Sequence, residues 1–180
     1  MRERGELSFQ DMRVQRIQLA YEAQGIVLSH ENCQSWQRDY LYEQNHISLS
    51  PTVVEILNYC QSQSMEIGII TNGPSDHQRM KLESLGLDRW FSPKQVLVSG
   101  DVGVSKPDRQ VFDLMATRLK GNPRYYIGDN PVNDVQGALN AGWQVIWLNT
   151  KGELATQEGV IEVTNHVDLL ACIKEIQTNV

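Results

Sequence analysis

The chain has 180 residues, of which 41% are hydrophobic, and a formal net charge of −6. This length supports one domain, or one domain with a small addition, and a core that needs no disulfide or metal. The acidic balance argues against a nucleic-acid partner, because a phosphate backbone would be repelled. No apolar run approaches the ~20 residues of a membrane span. The charged start, Met1–Gln10, lacks the hydrophobic stretch of a secretory signal.

The cysteines indicate the cellular compartment. Cys33, Cys60 and Cys172 lie far apart in the sequence, and no C-x-x-C pair is present. Scattered cysteines are typical of reduced, buried thiols, so we expect a cytoplasmic protein. The four histidines show no spacing typical of metal ligands.

Residues 1–50 are polar, with apolar positions at helical spacing. They predict one helix around Met12–Ala23 that ends near Gly25, and a second that begins near Ser29 and runs through Trp36–Tyr42. The aromatic side chains of the second helix either pack within this unit or shape a substrate pocket. We interpret residues 1–50 as a small helical unit.

From residue 51 onward, strands and helices alternate. Short apolar runs predict strands at Ile67–Thr71, Gln95–Ser99, Tyr125–Gly128, Gln144–Leu148 and Val160–Thr164. Ser50-Pro51 predicts a helix start, and Ser75 and Gln78 predict a capping box on the next helix. The alternation favours an α/β fold with a doubly wound, mostly parallel sheet over residues 51–180.

The first of these strands ends in Thr71-Asn72-Gly73. The Thr71 hydroxyl and free backbone N–H groups at Asn72 and Gly73 suit a phosphate oxygen, and the following helix points the positive end of its dipole there. A plain strand-to-helix turn explains the same residues, since Asn-Gly is common in turns.

A lysine follows the second strand. Lys106 stands just before a helix start marked by Pro107, where its charge opposes the helix dipole. An anion nearby would account for this position. The alternative is an exposed loop lysine.

The third strand leads into an acidic loop with Asp129 and Asp134. Oxygen ligands completed by water suit Mg²⁺. Helix capping by Asn133 or Asp134 is the alternative. Ligands bind beyond the carboxyl ends of the strands in open α/β sheets. The hydroxyl, the lysine and the acidic pair together therefore predict a site for a phosphate and a divalent cation.

These residues resemble the motifs of the haloacid dehalogenase-like hydrolase superfamily. Its second motif is similar to Ile69–Gly73, its third to Gly103–Asp108 and its fourth to Tyr126–Asp134. Order and spacing fit over residues 50–180. Residues 1–50 resemble the latter part of the small helical cap of such enzymes.

The resemblance implies specific roles. Thr71 would bind phosphate together with the turn that follows it, and Lys106 would steady phosphate and nucleophile. Asp129 would ligate Mg²⁺, and Asp134 would support the metal directly or through water. Dehalogenating relatives work without metal and lack this acidic loop, so the resemblance favours a phosphatase. Its substrate would be a small phosphorylated metabolite, a nucleotide or a sugar phosphate.

One departure from the family is large. Its first motif, an apolar strand ending in Asp-x-Asp that supplies the nucleophile, occurs nowhere in the 180 residues. Asp11 follows no apolar strand, and Asp39 lies in a helical stretch. We expect that the chain begins inside the cap and lacks on the order of 50 residues. Without that central strand, the first two strands should separate from the others, leaving a poorly stable and catalytically silent chain.

Three hypotheses about function are compatible with these motifs. The first is a Mg²⁺-dependent phosphatase with an incomplete start. The second is a non-catalytic phosphate-binding or regulatory relative, although retention of Thr71, Lys106, Asp129 and Asp134 speaks against a long-standing loss of function. The third is another phosphate-handling α/β domain. A receiver domain places its acids before the Thr, and a dinucleotide-binding domain needs a G-x-G-x-x-G that this sequence lacks.

Overall fold

A computed structural model of the chain describes residues 9–44, 46–154 and 159–178. The chain divides into two compact units, residues 1–47 and 48–180. The first eight residues, which predict no secretory signal, lie outside the described ranges. Among the helices described, none combines the length and apolar character needed to cross a lipid bilayer.

The first unit contains two helices, α1 (Phe9–Glu22) and α2 (His30–Gln44), which confirms both predicted helices. The two helices pack on each other. The rings of Tyr21 and Trp36 meet edge to face, with their centroids 5.0 Å apart. Cys33 is fully buried. Trp36 therefore packs within the helical unit, although about half of its side chain stays exposed.

The second unit alternates strands and helices. Its strands are β1 (Ile69–Thr71), β2 (Val96–Val98), β3 (Tyr125–Gly128), β4 (Gln144–Leu148) and β5 (Val160–Val163). Its helices are α3 (Pro51–Ser62), α4 (Ser75–Ser84), α5 (Ser99–Val102), α6 (Arg109–Arg118), α7 (Gly137–Asn140) and α8 (His166–Thr178). Short 3₁₀ turns span Leu87–Arg89 and Pro93–Gln95, and a π-helical turn, Pro131–Gln136, leads directly into α7.

The strands form two separate parallel sheets. One consists of β1 and β2, with Ile69 opposite Val96, and the other has the order β3-β4-β5. This confirms the expected separation of the first two strands from the rest. Within the described residues, β1 and β3 each pair on one side only. Ile127 of β3 is 41% exposed, in keeping with that open edge.

Helices cover both faces of the larger sheet. Val145 and Trp147 of β4 point into a cluster with Phe112 of α6, while Ile146 between them points into a second cluster with Leu169 of α8. Successive side chains of a strand alternate between faces, so β4 is buried on both sides. The fold is therefore a doubly wound α/β arrangement of parallel strands.

One local prediction is wrong. Ser75 and Gln78 form no capping box: Pro74 precedes the first helical residue, and α4 has no side-chain cap. The Gln78 side chain instead accepts a hydrogen bond from Thr71. By contrast, Ser50 caps α3 as predicted, since its side chain accepts from the Val53 N–H.

Candidate functional site

The polar residues selected from the sequence follow the carboxyl ends of β1, β2 and β3. Lys106 lies at their centre. Its Nζ contacts Asp134 Oδ1 at 2.6 Å and donates to the Tyr126 hydroxyl at 2.9 Å. The side chains of Lys106 and Asp134 are only 13% and 7% exposed. The anion near Lys106 is therefore a buried carboxylate of the chain itself, and an exposed loop lysine is excluded.

Asp134 organises the acidic loop. Its Oδ2 accepts hydrogen bonds from the backbone N–H groups of Asp129 at 3.2 Å and Asn130 at 3.0 Å. A side chain on Gly128 would collide with Asp134, so only glycine fits there. Both oxygens of Asp134 thus already accept hydrogen bonds within the chain. This position suits Asp134 for orienting the loop and Lys106.

Helix capping by Asn133 or Asp134, the alternative interpretation of the acidic loop, is not found, because another residue makes the cap. Asn130 Oδ1 accepts from the N–H groups of Val132 and Asn133 at 3.0 Å and 2.7 Å. It caps the π-helical turn and leaves Asp134 for the lysine and the loop backbone.

Tyr126 completes the buried polar group. Its hydroxyl donates to Asp134 Oδ1 at 3.2 Å and accepts from Lys106. Burial raises the pKa of the Tyr126 phenol far above its usual value, and the neighbouring Asp134 carboxylate adds to the effect. The phenol therefore stays neutral and serves as a hydrogen-bonding bridge between Lys106 and Asp134.

The β1 turn is tied to the Lys106 loop. Asn72 Nδ2 donates to the Lys106 carbonyl at 2.8 Å, and the Lys106 N–H donates to Asn72 Oδ1 at 3.0 Å. Hydrogen bonds thus run without a break from the end of β1, through Lys106 and Asp134, to the backbone of Asp129. The Asn72 side chain acts as a clamp on the Lys106 backbone.

The turn has fewer free donors than the sequence suggested. The Gly73 N–H donates to Ser99 Oγ at 2.9 Å, so the expectation that it is free is wrong. The Thr71 hydroxyl is half-buried and donates to Gln78 Oε1 at 2.8 Å. The turn is therefore built by hydrogen bonds to Ser99 at the start of α5 and to Gln78 of α4, which a plain Asn-Gly turn does not need.

Asp129 differs from Asp134. Its side chain is exposed, and among the described residues no hydrogen bond or ion pair engages its carboxylate. Its carbonyl accepts from the buried Trp147 indole at 3.1 Å, which fixes the backbone. No group of three or more His, Cys, Asp or Glu side chains is arranged for a metal within the described ranges. The residues fit Mg²⁺, which commonly binds through one or two carboxylates and keeps several waters.

The sequence analysis missed several contributors, namely Ser99, Gln78, Tyr126 and Trp147. Tyr126 and Trp147 lie inside apolar strands, where their polar atoms give no periodic signal. Gln78 fits a helix-capping pattern equally well. No signal in one sequence identifies these contacts, because each spans a turn or a crossover.

Comparisons with known proteins agree on one family. A sequence model described as haloacid dehalogenase-like hydrolase matches residues 11–148. Pyrimidine 5'-nucleotidase YjjG of Escherichia coli is 39% identical over 103 residues, covering 55% of this chain and 44% of that protein. Phosphoserine phosphatase of Thermus thermophilus is 35% identical over 112 residues, covering 61% of this chain and 44% of that protein. The chain thus spans a little under half the length of these two relatives.

Solved structures share the fold. The magnesium-bound HAD-hydrolase YfnB of Bacillus subtilis superimposes with a TM-score of 0.69 at 22% identity, covering 95% of this chain and 75% of that one. At this level of identity the likeness concerns the fold alone.

Proposed function

The chain belongs to the haloacid dehalogenase-like hydrolase family, and from this premise we propose that it provides the phosphate- and Mg²⁺-binding part of a phosphatase. The proposed substrate is a small phosphorylated metabolite, a nucleotide or a sugar phosphate. The nucleotidase and the phosphoserine phosphatase among the relatives support a phosphomonoester class.

The observation that carries the proposal is the state of Lys106. Its ammonium group has three donors, of which Asp134 and Tyr126 take two. Burial keeps it from exchanging freely with water. A buried cation with one donor left, at the ends of the strands that lead into the Thr71 turn and the Asp129 loop, suits a phosphoryl oxygen.

Each residue then has a role. Lys106, the Thr71 hydroxyl and the Asn72 backbone N–H hold the phosphoryl oxygens, and Asp129 binds Mg²⁺. Asp134 fixes the position of the Lys106 ammonium group and orients the Asp129 backbone, and it is hydrogen-bonded to both. The metal, when bound, supplies positive charge that offsets the negative charge on the phosphoryl group. Reduced cysteines support a cytoplasmic location for this chemistry.

Ester hydrolysis by the mechanism of this family needs a carboxylate nucleophile. The 180 residues contain no Asp-x-Asp, so we propose that this chain by itself binds phosphate and does not hydrolyse esters. The same absence supports the second candidate, a non-catalytic phosphate-binding relative. The two candidates differ in whether a first-motif strand supplied with this chain restores hydrolysis.

The test combines binding with turnover. Calorimetric titration of the 180-residue chain with inorganic phosphate should show binding that MgCl₂ strengthens, and Asp129→Asn should remove the magnesium effect alone. Asp168→Asn, in the first turn of helix α8 after β5, is the charge-matched control, because its carboxylate bonds only to Thr164 and Asn165 among the described residues. No phosphate binding would overturn the proposal. Hydrolysis of p-nitrophenyl phosphate by this chain, abolished in Asp129→Asn, would overturn the proposal that the chain by itself does not hydrolyse esters.

A further inference from the structure

The Asp129 side chain, the proposed metal ligand, is held in place only through its backbone. The carboxylate is exposed, and no hydrogen bond or ion pair engages it within the described residues. A ligand that is free to move loses conformational entropy when a metal binds, so the groups that orient it raise the affinity for the metal. The contacts of the Asp129 backbone therefore bear directly on metal binding.

Two groups hold that backbone, one on each side. Strand β3 ends at Gly128, opposite Trp147 of β4, so Asp129 is the first residue beyond the strand pairing. Its N–H donates to Asp134 Oδ2 at 3.2 Å, and its carbonyl accepts from Trp147 Nε1 at 3.1 Å. Asp129 is thus fixed at both peptide groups although it lies outside the sheet.

Trp147 is a rigid anchor for the carbonyl. Its side chain is only 4% exposed and packs in the core cluster that contains Val111 and Phe112. A large ring enclosed by close-packed side chains has little freedom to change rotamer. The indole nitrogen carries a single proton in the plane of the ring, so the ring position also sets the direction of the hydrogen bond. Core packing is transmitted in this way to the Asp129 backbone.

We propose that Trp147 is a positioning residue for the metal ligand: its indole N–H holds the Asp129 carbonyl and so presents the Asp129 carboxylate to Mg²⁺ in a fixed direction. The inference rests on the proposed function, since it concerns the same Mg²⁺. Asp134 bonds to Lys106 as well as to the Asp129 backbone, so its replacement should affect phosphate and metal together. Trp147 bonds to Asp129 alone, and its replacement should affect the metal only.

NMR of the 180-residue chain gives a direct readout, because each of the four tryptophans has one indole N–H signal. Addition of MgCl₂ without phosphate should shift the Trp147 indole signal together with the Asp129 and Asn130 backbone amides. The indole of Trp90, which donates to Asn58 in the connection that enters β2 at its amino end, should not move. Asp129→Asn should abolish the Trp147 shift, and a shift that persists in this variant would contradict the inference.

Variants provide the second readout. Trp147→Phe keeps an aromatic ring in the core and removes the donor. It should weaken Mg²⁺ binding on the order of tenfold, as the loss of a group that orients a metal ligand commonly does, and leave the affinity for inorganic phosphate without Mg²⁺ unchanged. Trp143→Phe is the matched control, because Trp143 is buried in the same cluster but precedes β4, at the end of that strand away from Asp129. It should leave both affinities unchanged.

The outcomes separate positioning from a purely structural role and from the proposed function. Equal Mg²⁺ affinities in the two phenylalanine variants, or a parallel loss of Mg²⁺ and phosphate affinity in Trp147→Phe, would overturn this inference alone. A Trp147 indole signal that ignores Mg²⁺ while the Asp129 amide responds would do the same, and this measurement needs no variant. Absence of any response to Mg²⁺ at Asp129 in the parent chain would overturn the proposed metal site together with it.

Discussion

The Asn72 side chain and the Lys106 backbone are joined by two hydrogen bonds: Asn72 Nδ2 donates to the Lys106 carbonyl at 2.8 Å, and the Lys106 N–H donates to Asn72 Oδ1 at 3.0 Å. Asn72 follows β1 of the two-stranded sheet, while the Lys106 side chain reaches Asp134 after β3 of the other sheet. No strand pairing joins the two sheets in the described residues. This amide clamp is therefore one of the polar links that set their relative position.

Asn72→Ala should destabilise the chain by about 1–3 kcal/mol, because two half-buried backbone groups of Lys106 lose their partners. Urea unfolding followed by circular dichroism measures the change. Asn32→Ala, at an exposed position of α2, should change stability by about 0.5 kcal/mol or less. An unchanged unfolding midpoint in Asn72→Ala would show that the clamp contributes no stability.

Asp134→Asn should be more damaging, since it leaves the Lys106 ammonium buried without a counter-charge. Removal of one partner of a buried ion pair costs about 3 kcal/mol or more. Asp113→Asn is the matched control, because its pair with Arg109 at 3.1 Å has side chains 52% and 65% exposed, and exposed pairs contribute about 0–1 kcal/mol. The free energy of unfolding is measured with urea for both variants. Equal decreases would contradict the expectation that loss of the buried Lys106–Asp134 pair costs more than loss of an exposed pair.

Two strands of the larger sheet were predictable from the sequence with their bounds. Tyr125–Gly128 and Gln144–Leu148 are found with the predicted bounds, because continuous apolar runs ending at glycine or a polar residue leave few alternatives. The strand predicted at Ile67–Thr71 is shorter, Ile69–Thr71. Its pairing with β2 begins only at Ile69 opposite Val96, so the residues before it have no ladder to join.

The sequence singled out Lys106 and Asp134, which the structure brings into contact, but it did not predict the partners of the neutral residues around them. Lys106 and Asp134 stand out because a charge at the end of a buried strand needs a reason. Gln78 and Asn72 have ordinary local explanations as a cap and a turn, and their actual partners are 7 and 34 residues away. Local pattern carries no information about such partners, which only the folded chain brings together.

Tyr126→Phe should alter the dependence of stability on pH. The pKa of this phenol is raised in the folded chain above the ordinary value of 10.0. Only the unfolded chain therefore ionises it above pH 10, so its stabilising contribution is complete below pH 10 and is lost as pH rises further. The parent chain should lose stability more steeply than Tyr126→Phe between pH 10 and 11. Parallel curves from urea unfolding at each pH would contradict the raised pKa.

The thiols should react in a fixed order. Cys172 is half-buried, while Cys33 and Cys60 are buried, and burial raises the pKa of both Cys60 and Cys172. The thiolate is the reactive form, so Cys60 and Cys172 should react slowly with an aromatic disulfide reagent at pH 8, and Cys172 should react first because it is more exposed. Burial alone should shield Cys33 from the reagent. Mass spectrometry of partly labelled chain identifies the sites. Labelling of Cys60 before Cys172 in the folded chain would show that α3 opens faster than α8.

Hydrogen exchange should be uneven between the sheets. β4 pairs with strands on both sides and buries Val145, Ile146 and Trp147, whereas β1 pairs on one side over three residues. Near the open edge of β3, an apolar cleft of about 290 Å³ lies between Ile67, Ile127 and Ile173. Regions with few buried contacts open at low free-energy cost.

Amides of β4 should therefore exchange at least about tenfold more slowly than those of β1, and the whole chain should unfold at low urea concentration. Mass spectrometry of peptides covering each strand, normalised to the same peptides in the unfolded chain, measures the ratio. Supplying a first-motif strand should protect β1 and β3 together, because an inserted strand would pair with both open edges. Protection of β1 equal to that of β4 in the chain by itself would mean that its open edge is already covered in solution, for example by a second copy of the chain.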